Sequence, residues 1–202
     1  MVYDDPNDTT LKIAEPLAKK DKRLILTLNE SKGVAFAVRT GFKKVTAEAV
    51  MVTAIDLPED IKKLDEMLNI FYNGNYAIVS PSRYMTGGER HAGKFLNQTL
   101  SRFGNVALYY IAGLPIHDAT NGSKLYRKAF LDSIEIKTEN GWVVALEITI
   151  KAFSGGWSMT EIPTTQRERE RGSSKFKLFK WLKLYIYWFL VALKEHIKKW
   201  IF

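Results

Sequence analysis

The run AVMVTAID, residues 49–56, decides the fold of this chain. Seven apolar or β-branched residues bounded by polar ones read as a strand buried on both faces, with Asp56 at its C-terminal end. Outward from it, RLILTL at 23–28 reads as another buried strand, and residues 76–80 and 157–162 as two more. Helical patterning covers 10–20, the stretch from the polar break at 29–33 to about Lys44, 60–72, 92–112, and 141–153 with an internal Glu147. Residues 117–121 read as a turn. The alternation predicts an α/β fold, a mostly parallel sheet flanked by helices, whose ligands lie outside the C-terminal ends of the strands. The loops 29–33, 56–60 and 82–88 are therefore expected to converge there.

A βαβ unit takes about 30 residues, yet Met1 is followed almost at once by an acidic loop. The expectation is a core that lacks its first strand and helix, or a shortened natural variant.

With 202 residues, 46% of them hydrophobic, one domain with a full core is expected. The absence of cysteine excludes disulfides and thiolate metal sites, so any metal is held by oxygen or imidazole ligands. The net charge of +8 is uneven: residues 167–202 carry ten Lys or Arg against three Glu, which is +7 of the total. A basic tail packed with aromatics points to an anionic membrane surface, and no nucleic-acid recognition module is present. Asp4, Asp5 and Asp8 occupy the place where a secretory signal would need an apolar stretch. In the tail, the unbroken apolar stretch 184–193 falls short of the roughly 20 residues that span a bilayer. Trp and Tyr interleaved with Lys predict a helix that lies on the membrane; a helix docked on the core or on a partner is the alternative.

Several groups of residues carry chemistry. Asp4, Asp5 and Asp8 sit on a turn whose carboxylates either accept hydrogen bonds from a nucleoside or serve as turn and helix-cap residues. Lys32 and Gly33, followed by Arg39, Thr40 and Gly41, suit a diphosphate at a helix start or a solvated helix face. Asp56, Glu59 and Asp60 offer oxygen ligands for Mg²⁺ or Mn²⁺, or cap the following helix. Arg83 and Tyr84, the Gly87-Gly88 pair read as a mobile loop, and Ser101 with Arg102 suit forked recognition of a phosphate. The alternating charges at 166–175 read as a solvated segment or a phosphate-gripping lid.

In this order the pieces resemble the family 2 glycosyltransferases of GT-A fold, especially the polyprenyl-phosphate sugar synthases of the dolichyl-phosphate mannose synthase type. Asp4, Asp5 and Asp8 are similar to the nucleotide-binding acidic turn, and Lys32 to Gly41 to the Gly-rich segment after it. Asp56 falls on the last Asp of a DxD-type motif whose first Asp is Ala54 here. The motifs around Arg83, Asp118 to Gly122, and Glu161 to Lys175 follow in order. The resemblance implies transfer of a hexose from a nucleotide diphosphate sugar to a membrane-bound acceptor such as a polyprenyl phosphate, with Mg²⁺ or Mn²⁺. It implies Asp4, Asp5, Lys32, Gly33, Arg39, Arg169 and Lys175 around the nucleotide sugar, and Arg83, Tyr84, Ser101 and Arg102 around the acceptor. Asp56, helped by Glu59 and Asp60, holds the metal in that scheme, Arg169 also acts in catalysis, and Asp118 is the candidate base. Residues 1–175 form the core and 176–202 an amphipathic helix at the cytoplasmic face of a membrane. Ala54 motivates an alternative, a non-catalytic nucleotide-sugar-binding relic of the same fold.

Overall fold

The computed structural model describes residues 1–53, 61–91, 95–166 and 178–201. Asp56, Glu59, Asp60, Arg169 and Lys175 lie outside the described residues.

The main sheet has four strands: β3 (Ala49–Val52), β4 (Ile78–Ser82), β6 (Lys124–Arg127) and β7 (Met159–Pro163), in the order β3-β6-β4-β7. β4 and β7 run parallel, whereas β6 is antiparallel to both β3 and β4, so three of the four strands share one direction. Side chains alternate between faces as the two-residue period requires. Val79, Leu125 and Ile162 face helix α3 (Leu64–Gly74), which buries Met67 and Phe71 against them. Ile78, Tyr126 and Met159 face the larger core on the other side.

That larger core is organised by α6 (Val143–Ser154), a helix apolar nearly all round. Such a helix must be covered on both sides. The sheet covers one side, and α7 (Leu178–Ile201) covers the other with Trp188 and Ala192. Glu147 is the polar exception inside α6. Its carboxylate accepts from the backbone N–H of Lys137 at 2.7 Å and of Thr138 at 2.6 Å, and from Lys151 Nζ at 2.5 Å. Burial alone would raise this carboxyl, but those donors hold it below its ordinary value.

Two strands stand apart, β1 (Val2–Tyr3) and β2 (Thr27–Leu28), paired in parallel. The run 23–28 is therefore not the long buried strand expected from its apolar content. Only two of its residues pair, and Ile25 and Leu28 are exposed, because among the described residues β2 has β1 as its sole strand neighbour. Between these strands lies α1 (Leu11–Lys20), and α2 (Val34–Lys44) follows β2. β5 (Glu89–Arg90) pairs in parallel with β8 (Thr165–Gln166), α4 spans Phe95–Tyr110, and the short α5 spans Lys128–Asp132. Among the described residues no helix is long and apolar enough to cross a membrane.

Candidate functional site

Two clusters of sequence-predicted residues form at the C-terminal ends of strands. The first lies beyond β1 and β2. Asp4 bridges two loops: one carboxylate oxygen accepts from Asn29 Nδ2 at 2.7 Å and the other from the Gly33 N–H at 3.0 Å. Asn29 in turn accepts from Thr40 Oγ1 at 2.9 Å, which ties the loop to α2. Asp5 accepts from the Asn7 N–H at 2.8 Å and Asp8 from the Thr10 N–H at 2.8 Å, the turn and helix-start geometry open to short acidic residues. Lys32 is exposed beside Gly33, and the Arg39 guanidinium lies over the Phe36 ring.

The second cluster follows β4. Arg83 and Asp118 are both buried, and the guanidinium binds the carboxylate in a fork, with Nε–Oδ2 at 2.6 Å and Nη2–Oδ1 at 2.8 Å. The Arg83 N–H donates to the same carboxylate, and Nη1 reaches Gln166 Oε1 at 3.1 Å. Burial would raise the Asp118 carboxyl, yet the neighbouring charges of Arg83 and Lys124 hold it below the usual carboxylate range. Lys124 is itself fully buried. Its Nζ donates to the carbonyls of Ala119 at 2.9 Å and Asn121 at 2.6 Å, and burial pushes the ammonium down to about 7 against the pull of Asp118.

The turn 117–121 is fastened on every side. Asn121 Nδ2 donates to the Pro81 carbonyl at 2.7 Å, and Asn105 of α4 donates to Thr120 Oγ1 at 2.7 Å. The N–H and ring of His117 both engage Glu161 of β7, at 2.8 and 2.5 Å. Next to this turn, Tyr84 donates to Ser101 Oγ at 2.9 Å and accepts from Arg90 Nη1 at 2.8 Å. These three residues are half-buried, and Arg102 beside them is exposed.

The loop between β4 and β5 turns back tightly on β4. Gly88 donates its N–H to the Met85 carbonyl, and a Cβ on Gly88 would overlap the Ser82 carbonyl oxygen. Only glycine lets the chain turn back this close to β4.

The structure thus unites Arg83 with Asp118, Tyr84 with Ser101, and Asp4 with Gly33. Arg90, Asn105 and Lys124 were missed from sequence. Their signals were faint: a basic residue shortly after two glycines, an amide within an apolar helix, and a lysine opening a four-residue strand. Among the described residues no group of three His, Asp or Glu is arranged to hold a metal ion.

The family profile of Glycosyl transferase family 2 matches residues 1–135. The dolichol-phosphate mannosyltransferase of Pyrococcus furiosus is 29% identical over 191 residues, covering 91% of this chain and 52% of that protein. The polyprenol monophosphomannose synthase of Mycolicibacterium smegmatis is 31% identical over 120 residues, covering 58% of this chain and 44% of that protein. The chain spans about half the length of these curated relatives.

Among solved structures, glucosyl-3-phosphoglycerate synthase from Mycobacterium tuberculosis superposes with a TM-score of 0.62 in its complex with Mg²⁺ and UDP. Its complex with Mn²⁺, UDP-glucose and phosphoglyceric acid gives 0.60. Both share 12% identity and cover 96% of this chain, and 66% and 67% of theirs. At that identity the likeness establishes the fold, which is GT-A. By its sequence over residues 1–135 and by the fold that carries it, this chain belongs to glycosyl transferase family 2.

Proposed function

We propose that this glycosyltransferase moves a hexose from a nucleotide diphosphate sugar to a polyprenyl phosphate at the cytoplasmic face of a membrane. The observation that carries this reading is the half-buried trio Tyr84, Arg90 and Ser101, set beside the fastened turn that bears Asp118. A guanidinium and two hydroxyls that are only half-buried suit an acceptor that is already a phosphate anion. The names of the two curated relatives, which point to dolichol phosphate and polyprenol phosphate, favour the same acceptor class.

In this reading the acceptor phosphate oxygen attacks the anomeric carbon while the bond to the nucleoside diphosphate breaks. An ionised phosphate needs no general base, so positioning and charge neutralisation dominate. Asp118 then serves as the fixed counter-ion of Arg83 rather than as a base, since its carboxylate is buried, ionised and engaged in the fork. Arg83 shapes the acceptor pocket through that fork, and Tyr84, Arg90, Ser101 and Arg102 face the phosphate. Asp4 and Asp5 receive the nucleoside, with Asp4 already holding the Gly33 loop in place. Lys32, Arg39, Arg169 and Lys175 neutralise the diphosphate.

Asp56, with Glu59 and Asp60, would hold Mg²⁺ or Mn²⁺. The ion supplies positive charge to the departing diphosphate when bound. Ala54, in place of the first Asp of the motif, favours a second reading in which the nucleotide sugar binds but is not transferred.

Calorimetry with UDP and GDP, with and without Mn²⁺, tests the first step. Mn²⁺-dependent binding that Asp56→Ala abolishes is expected. No binding of either nucleotide in the presence of Mn²⁺ would overturn the proposal.

A further inference from the structure

Strands β1 and β3 each present one edge with no strand beside it. Within the pair β1 and β2, Thr27 donates its N–H to the Met1 carbonyl at 2.9 Å and Asn29 donates to the Tyr3 carbonyl at 2.8 Å. Hydrogen bonding alternates along a parallel strand, so Met1 and Tyr3 face β2 while the N–H and C=O of Val2 point to the opposite edge. The same alternation orients β3. The Lys128 N–H donates to the Glu48 carbonyl at 2.8 Å, which fixes Glu48, Val50 and Val52 as the residues bonded across to β6. The N–H and C=O groups of Ala49 and Met51 therefore point away from β6. Among the described residues neither edge has a strand neighbour, and Val2, Ala49 and Met51 are half-buried.

Helix α2 brings these two edges side by side. It packs on β1, where a Cβ on Gly41 would stand 3.7 Å from Val2 Cγ2. The next residue, Phe42, meets the Tyr126 ring of β6 edge to face, with centroids 5.7 Å apart, and joins Val50 of β3 in the larger core. Strands in a sheet lie about 4.8 Å apart, and a helix with its side chains is about 10–12 Å across. β1 and β3 do not pair, yet one helix covers the edges of both, so the gap between them is one strand wide. β2 takes the outer side of β1, with Ile25 and Leu28 exposed.

We propose that the gap between β1 and β3 is a docking slot for one apolar β-strand that residues 1–202 do not themselves supply. Three observations select this occupant. Both rims offer backbone N–H and C=O groups in the strand alternation, which an added strand pairs on its two edges and a helix cannot. β3 is covered by α3 through Ala49 and Met51 and by the larger core through Val50, so a strand beside it is apolar on both faces. The chain spans about half the length of its curated relatives, which therefore carry further sequence. Within residues 1–202, the runs outside the described residues, 54–60, 92–94 and 167–177, are short or charged and do not suit such a strand. The slot rests on the fold and not on the acceptor reading above.

Hydrogen exchange of the full chain tests the slot, alone and with a synthetic peptide of about five Val and Ile residues flanked by lysines. The amides of Val2, Ala49 and Met51 are expected to exchange rapidly in the chain alone. With peptide at about 100 times its Kd they should exchange about 100-fold more slowly, and the melting temperature should rise. The same peptide N-methylated at alternate residues keeps its side chains, loses one edge of hydrogen bonds and should protect neither rim. Met51→Pro removes one donor facing the slot and leaves the bonds to β6 in place. It should abolish protection at Val2, and an unchanged melting temperature without peptide shows that its fold is intact.

Slow exchange at all three amides in the chain alone would overturn the proposal, because β1 and β3 would then be closed on each other. Unchanged exchange with the peptide present would overturn it as well. Equal protection by the N-methylated peptide would do the same, since apolar adhesion would then explain the effect without strand pairing. Protection that grows with protein concentration in the absence of peptide, together with a dimer in light scattering, would make the occupant a second copy and would also contradict the proposal.

Discussion

Arg83 and Asp118, thirty-five residues apart in sequence, form a buried forked pair, with Nε–Oδ2 at 2.6 Å and Nη2–Oδ1 at 2.8 Å. The pair fastens the end of β4 to the turn after α4. Removing one member leaves the other as an uncompensated buried charge, which costs about 3–5 kcal/mol. Asp118→Asn and Arg83→Met are each expected to lose stability on that scale in urea unfolding. The double variant Arg83→Met, Asp118→Leu is expected to lose much less than the two single losses added together.

Tyr84 holds its neighbours through one hydroxyl, which donates to Ser101 and accepts from Arg90. Tyr84→Phe keeps the ring and removes both bonds. The expected result is an acceptor KM raised about 10-fold or more, since a bond to a charged group contributes about 1.5–3 kcal/mol, with nucleotide-sugar KM unchanged. Steady-state kinetics with each substrate varied in turn makes the comparison.

Lys124 gives the fold a pH dependence with a definite sign. Its pKa falls from 10.5 in the unfolded chain to about 7 when buried, so between those values the unfolded state binds the extra proton. Stability from this group therefore rises with pH across that window, by up to about 1.4 kcal/mol per unit. Asp118 behaves oppositely at the acid end: its carboxyl is held below its ordinary value, so its contribution is present above about pH 4 and is lost as the pH falls through the native value. Unfolding measured from neutral pH to about pH 9 should show the rise in the unaltered protein and lack it in Lys124→Met.

The junction of α4 and α7 depends on Gly113. Its φ of +69° is unfavourable for other residues, and a Cβ there would overlap the ring of His196. Gly113→Ala is expected to destabilise the protein by about 1–3 kcal/mol from the backbone conformation alone, with a further loss from the clash. Adding His196→Ala should restore only the steric part. Thermal unfolding of the single and double variants separates the two.

Much of the architecture is legible in the sequence. The helices α2, α4 and α6 and the existence of a strand at β3 follow from apolar content and period, but the central, fully covered strand expected at 49–55 is not what forms: among the described residues β3 is an edge strand, antiparallel to β6, and buries only Val50. The internal Glu147 is visible too, although not that it would cap the N–H groups of Lys137 and Thr138. β6 escapes because its four residues begin with Lys124 and end with Arg127, and charged ends argue against a central strand. The burial of Lys124 and the partial burial of Arg127 make sense only in three dimensions, where Lys124 meets two carbonyls and Arg127 lies over the Phe71 ring.

Arg83 and Asp118 are each conspicuous in sequence, but nothing local reveals that they neutralise one another. That pairing shifts the emphasis from acid–base chemistry to positioning. The apolar stripe of α4 is the converse case. Periodicity identifies the helix, yet it cannot tell whether the apolar side faces a core or the outside, and here Asn105 takes the inner side.

The measurement that bears most directly on the account is transfer of labelled hexose from UDP- and GDP-sugars to a polyprenyl phosphate, with Mn²⁺ present. The expected result is a labelled lipid-extractable product that is lost with Asp56→Ala and reduced by Tyr84→Phe through the acceptor KM. Nucleotide binding without any labelled lipid from either class of donor would contradict transfer and leave the protein a nucleotide-sugar binder on the same fold.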